Sequence, residues 1–295
     1  MQTRPTHSAL TNFVANILPP KTNDVQLLYH VPRHPRYNPD YARVDRIVLS
    51  VTPTPGVYDL IGHAPRNHAT APRGEMAPRV PRTLCFLHRP FTLDRRSVRR
   101  DTLVLASHTS FDENVTVGWN VALAAQLGMD LNTSECVQGY KGDPDRKIGI
   151  VGRTALGTSS SMDEVLRGQF DAFEARLVGL DEDDVKVVAI MNAFSAEEVR
   201  RILDLSLQRG WIDSLENGGG RHVLYLTGQP REGGMAVARE YGVQVACVGH
   251  RAAEDWGIRY LARRLRESFP GVDVEEVYEE EEPRVKKPRG EEMSQ

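Results

Sequence analysis

The chain has 295 residues, of which 40% are hydrophobic and 26% charged, with a formal net charge of −3 at pH 7. These are globular proportions that exclude fibrous or wholly unstructured character. The longest apolar runs, such as 243–248, are strand-sized and far below the roughly 20 residues that span a bilayer. The N-terminus has no basic region leading into an apolar stretch with a small-residue cleavage site, so no secretory signal is expected. Cys85, Cys136 and Cys247 are scattered and lack C-x-x-C spacing. They read as reduced thiols of a cytosolic or nuclear protein without a membrane partner. Charge is unevenly spread: residues 1–100 carry 15 Lys and Arg against 6 Asp and Glu, the remainder 22 against 34. The basic half reads either as a solvated, loop-rich surface or as a positive rim that attracts an anionic substrate.

In chain order, residues 1–42 are expected to be irregular, with a short strand around 25–29. An apolar, β-branched segment at 44–51 predicts a strand, and the Pro-, Gly- and His-punctuated stretch 52–82 predicts a long loop. Further strands are expected at 83–87, 102–107, 185–191, 222–227 and 243–248. Ser161 with Glu164 looks like a capping box opening a helix with Val165, Leu166, Phe170, Phe173 and Leu177 on one face. Ser195 with Glu198 does the same for Val199, Ile202, Leu203 and Leu207, and a third helix is expected over about 253–268. Strands alternating with helices predict an α/β fold with parallel or mixed sheets covered by helices. Six of the eight residues 275–282 are Glu, followed by VKKPRGEE. Residues 273–295 therefore read as an unordered charged tail, and a chain ending near 274 is expected to keep its stability. KKPR reads as a solvated tail or a weak nuclear-localisation patch.

Three segments share one arrangement: a histidine one or two residues beyond an apolar strand. They are TLCFL into His88, TLVLAS into His108, and VQVACVG into His250. Strand C-termini form the crevice where ligands bind in sheets of this class, so the three histidines converge if their strands are parallel neighbours. His108 and Asp112, and His250 and Glu254, are four apart, on one face of a first helical turn. Imidazole with carboxylate suits Zn, Mn, Fe or Ni rather than Mg or Ca. Other features are weaker. Prolines at 32 and 35 keep His30 and His34 off a helix. His63 and His68 lie in the loop, where they can cover a site. Gly218-Gly219-Gly220 follows no strand and opens no helix, as a phosphate cradle would require.

ASHTSFD continuing into WNVALAAQLGM, GHRAAEDWGIRYLARRL, and TLCFLHRPF after RIVLSVTPT resemble the Nif-three-like family, also called type-two GTP cyclohydrolase homologues. The resemblance covers about 43–268, with 43–272 as a two-lobed metal-binding domain. It implies a dinuclear metal centre held by His88, His108, Asp112, His250 and Glu254, and assembly into a ring, often a hexamer. The implied chemistry is that of a metal-dependent hydrolase, GTP cyclohydrolase-like or phosphoesterase. Asp112 and Glu254 would then be catalytic, and Arg89 would hold an anionic small-molecule substrate. One or two divalent ions per chain are expected. The second histidine of the family's His-His-Pro is Arg89 here, and the loops expected to touch substrate depart from the family pattern. A non-catalytic metal-binding protein with regulatory, transcription-related or other protein partners is the alternative.

Overall fold

The structure is a computed structural model that describes residues 4–63, 81–170 and 184–280. His68, Phe173, Leu177 and the KKPR segment lie outside the described residues.

Two five-stranded mixed sheets organise the chain. The first is built from β1 (Leu28–His30), β2 (Arg46–Ser50), β3 (Thr83–Leu87), β4 (Leu103–Ala106) and a last strand, Asp273–Val277. From edge to edge the order is β1, β4, β3, β2 and that last strand; only β1 runs antiparallel to its neighbour. β3 and β4 are buried along their whole length, as apolar runs must be when a parallel sheet is covered on both faces.

The second sheet contains β5 (Glu135–Tyr140), β6 (Asp143–Thr158), β7 (Asp184–Met191), β8 (Val223–Thr227) and β9 (Gln244–Cys247), in that order across the sheet. β5, β6 and β7 pair antiparallel, while β7, β8 and β9 are parallel. The last strand of the chain, in the first sheet, is β10.

Two readings of the termini are corrected. Residues 1–42 are not irregular throughout: α1 (His7–Ile17) is capped by the Thr6 hydroxyl, which accepts from the Ala9 amide, and it buries Leu10 and Val14. Nor is 273–295 wholly a tail, because Asp273–Val277 pairs with all five residues of β2. Backbone pairing does not require apolar side chains, and the acidic ones here meet cations. Arg46 Nε lies 3.0 Å from Asp273 and 2.8 Å from Glu275, and Arg266 Nη1 lies 2.6 Å from Glu276.

Capping is also corrected at α5 (Ser159–Gln169), where Thr158, not Ser161, accepts the first-turn amide. At α6 (Ala196–Gln208) the expected Ser195 hydroxyl accepts from the Glu198 amide. β5 and the two ends of β6 are polar and part-exposed, and the buried stretch 148–152 between them is broken by Gly149 and Gly152, so neither strand has an unbroken apolar run in the sequence.

Helix α8 (His250–Ser268) leaves β9 of the second sheet and packs onto both cores. Its Ala253 and Trp256 join Leu224, Leu226 and Ala246 of the second sheet. Its Ile258, Leu261, Ala262 and Leu265 join Ile47, Leu49 and Phe86 of the first. Gly257 lets α8 approach α3 (Thr109–Asn114): a Cβ there would lie 2.5 Å from Phe111 Cζ and 2.8 Å from the Val115 carbonyl. The three histidine-bearing strands are therefore not all neighbours in one sheet. β3 and β4 are, and α8 supplies the third histidine from the other sheet.

Candidate metal centre

His88 follows β3 directly and is almost wholly buried. Its Nδ1 lies 3.1 Å from the carbonyl oxygen of Ser107. A carbonyl only accepts, so Nδ1 carries the proton and the ring orientation is fixed by the neighbouring strand. Nε2 then faces Glu254 Oε1 at 3.2 Å and Asp112 Oδ1 at 3.4 Å. The His108 ring stacks on His88 with centroids 4.9 Å apart and planes within 4°. Phe111 packs against the same imidazole at 4.4 Å.

His108 caps α3, and Asp112 lies in the first turn of that helix. The helix start is held from outside. Asp24 Oδ1 accepts from the amides of His108 at 3.0 Å and Thr109 at 2.9 Å, and Oδ2 from the amide of Ser110 at 2.9 Å. Burial pushes the Asp24 carboxyl up, but these amides and that of Val25 outweigh it and leave it below the ordinary carboxylate range. Lys21 reaches the buried Glu113 at 2.5 Å from the same segment. Asp24 was not singled out from sequence because its partners lie 84 to 86 positions away, leaving no local pattern to read.

On α8, Gly249 precedes His250 with φ +86°, a conformation that favours glycine and sets where the helix begins. One turn later Glu254 returns to the same face, and its Oε1 lies 3.2 Å from His250 Nε2. Burial raises the His108 proton's cost and lowers its pKa, with His88 adding repulsion. The Glu254 carboxylate beside it raises that of His250. Burial pushes the Glu254 carboxyl up, yet the imidazoles of His250 and His88 pull it well below its usual range.

The five side chains thus meet in one place. His88, His108 and Asp112 offer ligand atoms all within 4.8 Å of one another, and Glu254 Oε1 joins His88 to His250. Glu254 Oε1 is buried and lies 3.2 Å from Nε2 of both His88 and His250, without hydrogen-bond geometry to either. A buried anionic oxygen flanked by imidazole nitrogens is satisfied by a cation, and the donor set is one that divalent transition ions accept. The residues present therefore fit a metal ion.

Arg89 is also here. Its Nη2 lies 3.4 Å from Glu254 Oε2, so the guanidinium takes the oxygen that the imidazoles leave free. Phe91, 59% exposed, stands edge-on to His108 with centroids 5.4 Å apart. His63 and the pair His30 and His34 do not enter a ligand cluster among the described residues. Gly218 and Gly219 lie in the 3-10 segment Glu216–His222, away from any helix start.

No protein-family model matches the chain, and no curated protein is similar to it. Solved structures are. HcgD from Methanocaldococcus jannaschii, in its reduced form, aligns with a TM-score of 0.57 at 15% identity, over 92% of this chain and 97% of that one. A Bacillus cereus protein related to NIF3 aligns with a TM-score of 0.55 at 11% identity, over 96% and 99%. A Thermus thermophilus protein does so with a TM-score of 0.51 at 14% identity, over 94% and 98%.

The chain has the NIF3-like fold.

The near-complete coverage on both sides means that the likeness spans both sheets of this chain and not one alone. The cluster lies where α8 crosses from one sheet to the other, with two histidines from the first sheet and one from the second.

Proposed function

We propose that this NIF3-like protein binds a divalent transition metal through His88, His108, Asp112, His250 and Glu254, and hydrolyses a nucleotide-like or phosphorylated small molecule. The observation that carries the reading is the orphaned, buried Glu254 Oε1 set between His88 Nε2 and His250 Nε2. A bound divalent ion would polarise a phosphoryl or carbonyl oxygen and acidify water at neutral pH. Asp112, partly open to solvent, orients the attacking water and accepts its proton. Glu254 holds His250 and Arg89 in place, and Arg89 presents its planar fork to an anionic group of the substrate. Self-association into a ring belongs to the same reading. Among the described residues no helix is long and apolar enough to cross a membrane.

Elemental analysis and a hydrolysis screen of nucleotides and phosphoesters test it together. The purified chain should carry transition metal, and His250→Ala with Glu254→Ala should remove most of it; unchanged metal content would overturn the assignment. Asp112→Asn should lower hydrolysis by roughly 100-fold or more, the range for losing a positioned base. If it changes only metal content or assembly, the protein is a non-catalytic metal-binding partner of other proteins.

A further inference from the structure

A cleft of about 410 Å³ opens at the end of the first sheet opposite the histidines. Arg82 stands immediately before β3, and Arg100 lies three residues before β4, whereas His88 and His108 follow the opposite ends of these strands. A five-residue strand places the two ends roughly 17 Å apart. The loop before β2 completes the cleft with His34, Arg36, Tyr37 and Tyr41.

The chemistry of this lining is specific. Among the described residues no carboxylate pairs with the guanidinium of Arg36, Arg82 or Arg100, although Arg82 Nη1 donates to the Arg43 carbonyl at 3.4 Å. The single acidic group in the lining, Asp101, faces Arg99 Nε at 3.9 Å. His34 Nδ1 accepts the amide of Arg36 at 3.1 Å, which leaves Nε2–H as a further donor. Tyr41 is 78% exposed, a large ring left in water. Tyr37 is anchored instead, its hydroxyl 3.0 Å from Nδ1 of the buried His7. Unneutralised guanidinium forks select phosphate oxygens, and an exposed ring beside them offers a stacking face for a planar base. The volume lies in the range of small-molecule sites and suits one nucleotide unit rather than a strand.

We propose that the Arg36–Arg82–Arg100 cleft with Tyr41 is a binding site for a mononucleotide, separate from the metal centre. The phosphate lies among the three arginines and the base stacks on Tyr41. This site needs no metal and takes no part in the hydrolysis.

Calorimetric titration of the chelator-treated full chain with adenosine and guanosine 5′-monophosphate tests the assignment. Saturable binding is expected with at least one of them, and it should weaken as salt rises. Tyr41→Ala should weaken it by roughly 10-fold, within the range for losing one stacked base. Arg36→Ala with Arg100→Ala should weaken it further, and these exposed positions leave the fold intact. His108→Ala should have no effect. Absence of binding at millimolar nucleotide would overturn the proposal. So would loss on His108→Ala instead of Tyr41→Ala, which would assign the nucleotide to the metal centre. Inorganic phosphate binding as tightly as the nucleotide would reduce the cleft to an anion patch and refute the stacking. Binding confined to single-stranded oligonucleotides would make it a nucleic-acid surface, contrary to the assignment.

Discussion

Arg89 is the residue on which the character of the metal centre turns. It directly follows His88, its amide donates to the Val51 carbonyl at 2.7 Å, and its side chain returns to Glu254. A guanidinium stays protonated and has no lone pair to give a metal. Beside a divalent ion it adds repulsion, and by holding Glu254 Oε2 it removes one oxygen from any second ion. The wild-type chain is therefore expected to hold about one ion tightly. Arg89→His, which restores an imidazole and removes the charge, should raise this toward about two. Metal stoichiometry after dialysis against a weak chelator measures it. Two tightly held ions in the wild type would show that Arg89 costs the site nothing.

Helix α3 has only six residues, too few to stand by propensity, yet it carries Asp112 and begins at His108. Its leading amides are satisfied by Asp24, a cap reaching in from a different part of the chain. Asp24→Ala leaves three amides without that acceptor and should cost about 2 kcal/mol, the upper range for losing a helix cap. Because those amides belong to His108, Thr109 and Ser110, metal affinity should fall with stability. A denaturant midpoint equal to wild type would show that water replaces the carboxylate at no cost. The pH dependence has a definite sign. The folded Asp24 carboxyl is depressed, so its contribution is fully present above the ordinary carboxylate range and is lost as pH falls through the depressed value. The acid limb of the stability curve should accordingly be shallower in Asp24→Ala than in wild type.

For the whole molecule, β10 is the last strand among the described residues. It closes the β2 edge of the first sheet, Ser50 Oγ donates to the Val277 carbonyl at 2.9 Å, and Arg266 donates to the Val274 carbonyl at 2.7 Å. A chain ending at residue 272 should melt roughly 5 °C or more below one ending at 280, about what a loss of 2 kcal/mol produces at this size. Equal midpoints would mean that β10 adds nothing to the sheet. An unordered tail from 273 is what composition implies, and it misleads for 273–277 because acidic residues can pair with β2 where Arg46 and Arg266 face them. Strands such as 83–87 and 185–191 were legible because burial on both faces demands a largely apolar run, broken in the second only by the part-exposed Lys186. The Ser195 cap was legible because its partner is three residues away. The histidine, aspartate and glutamate positions could be named as candidates, since a residue after a strand or one turn along a helix is a local relation. Other relations were not local. That β9 belongs to a different sheet, that α8 carries His250 across to His88, that Asp24 holds α3, and that Arg89 turns onto Glu254 all join residues far apart in the chain. Such pairings depend on which surfaces remain to be buried after each sheet forms, and only the tertiary structure decides that.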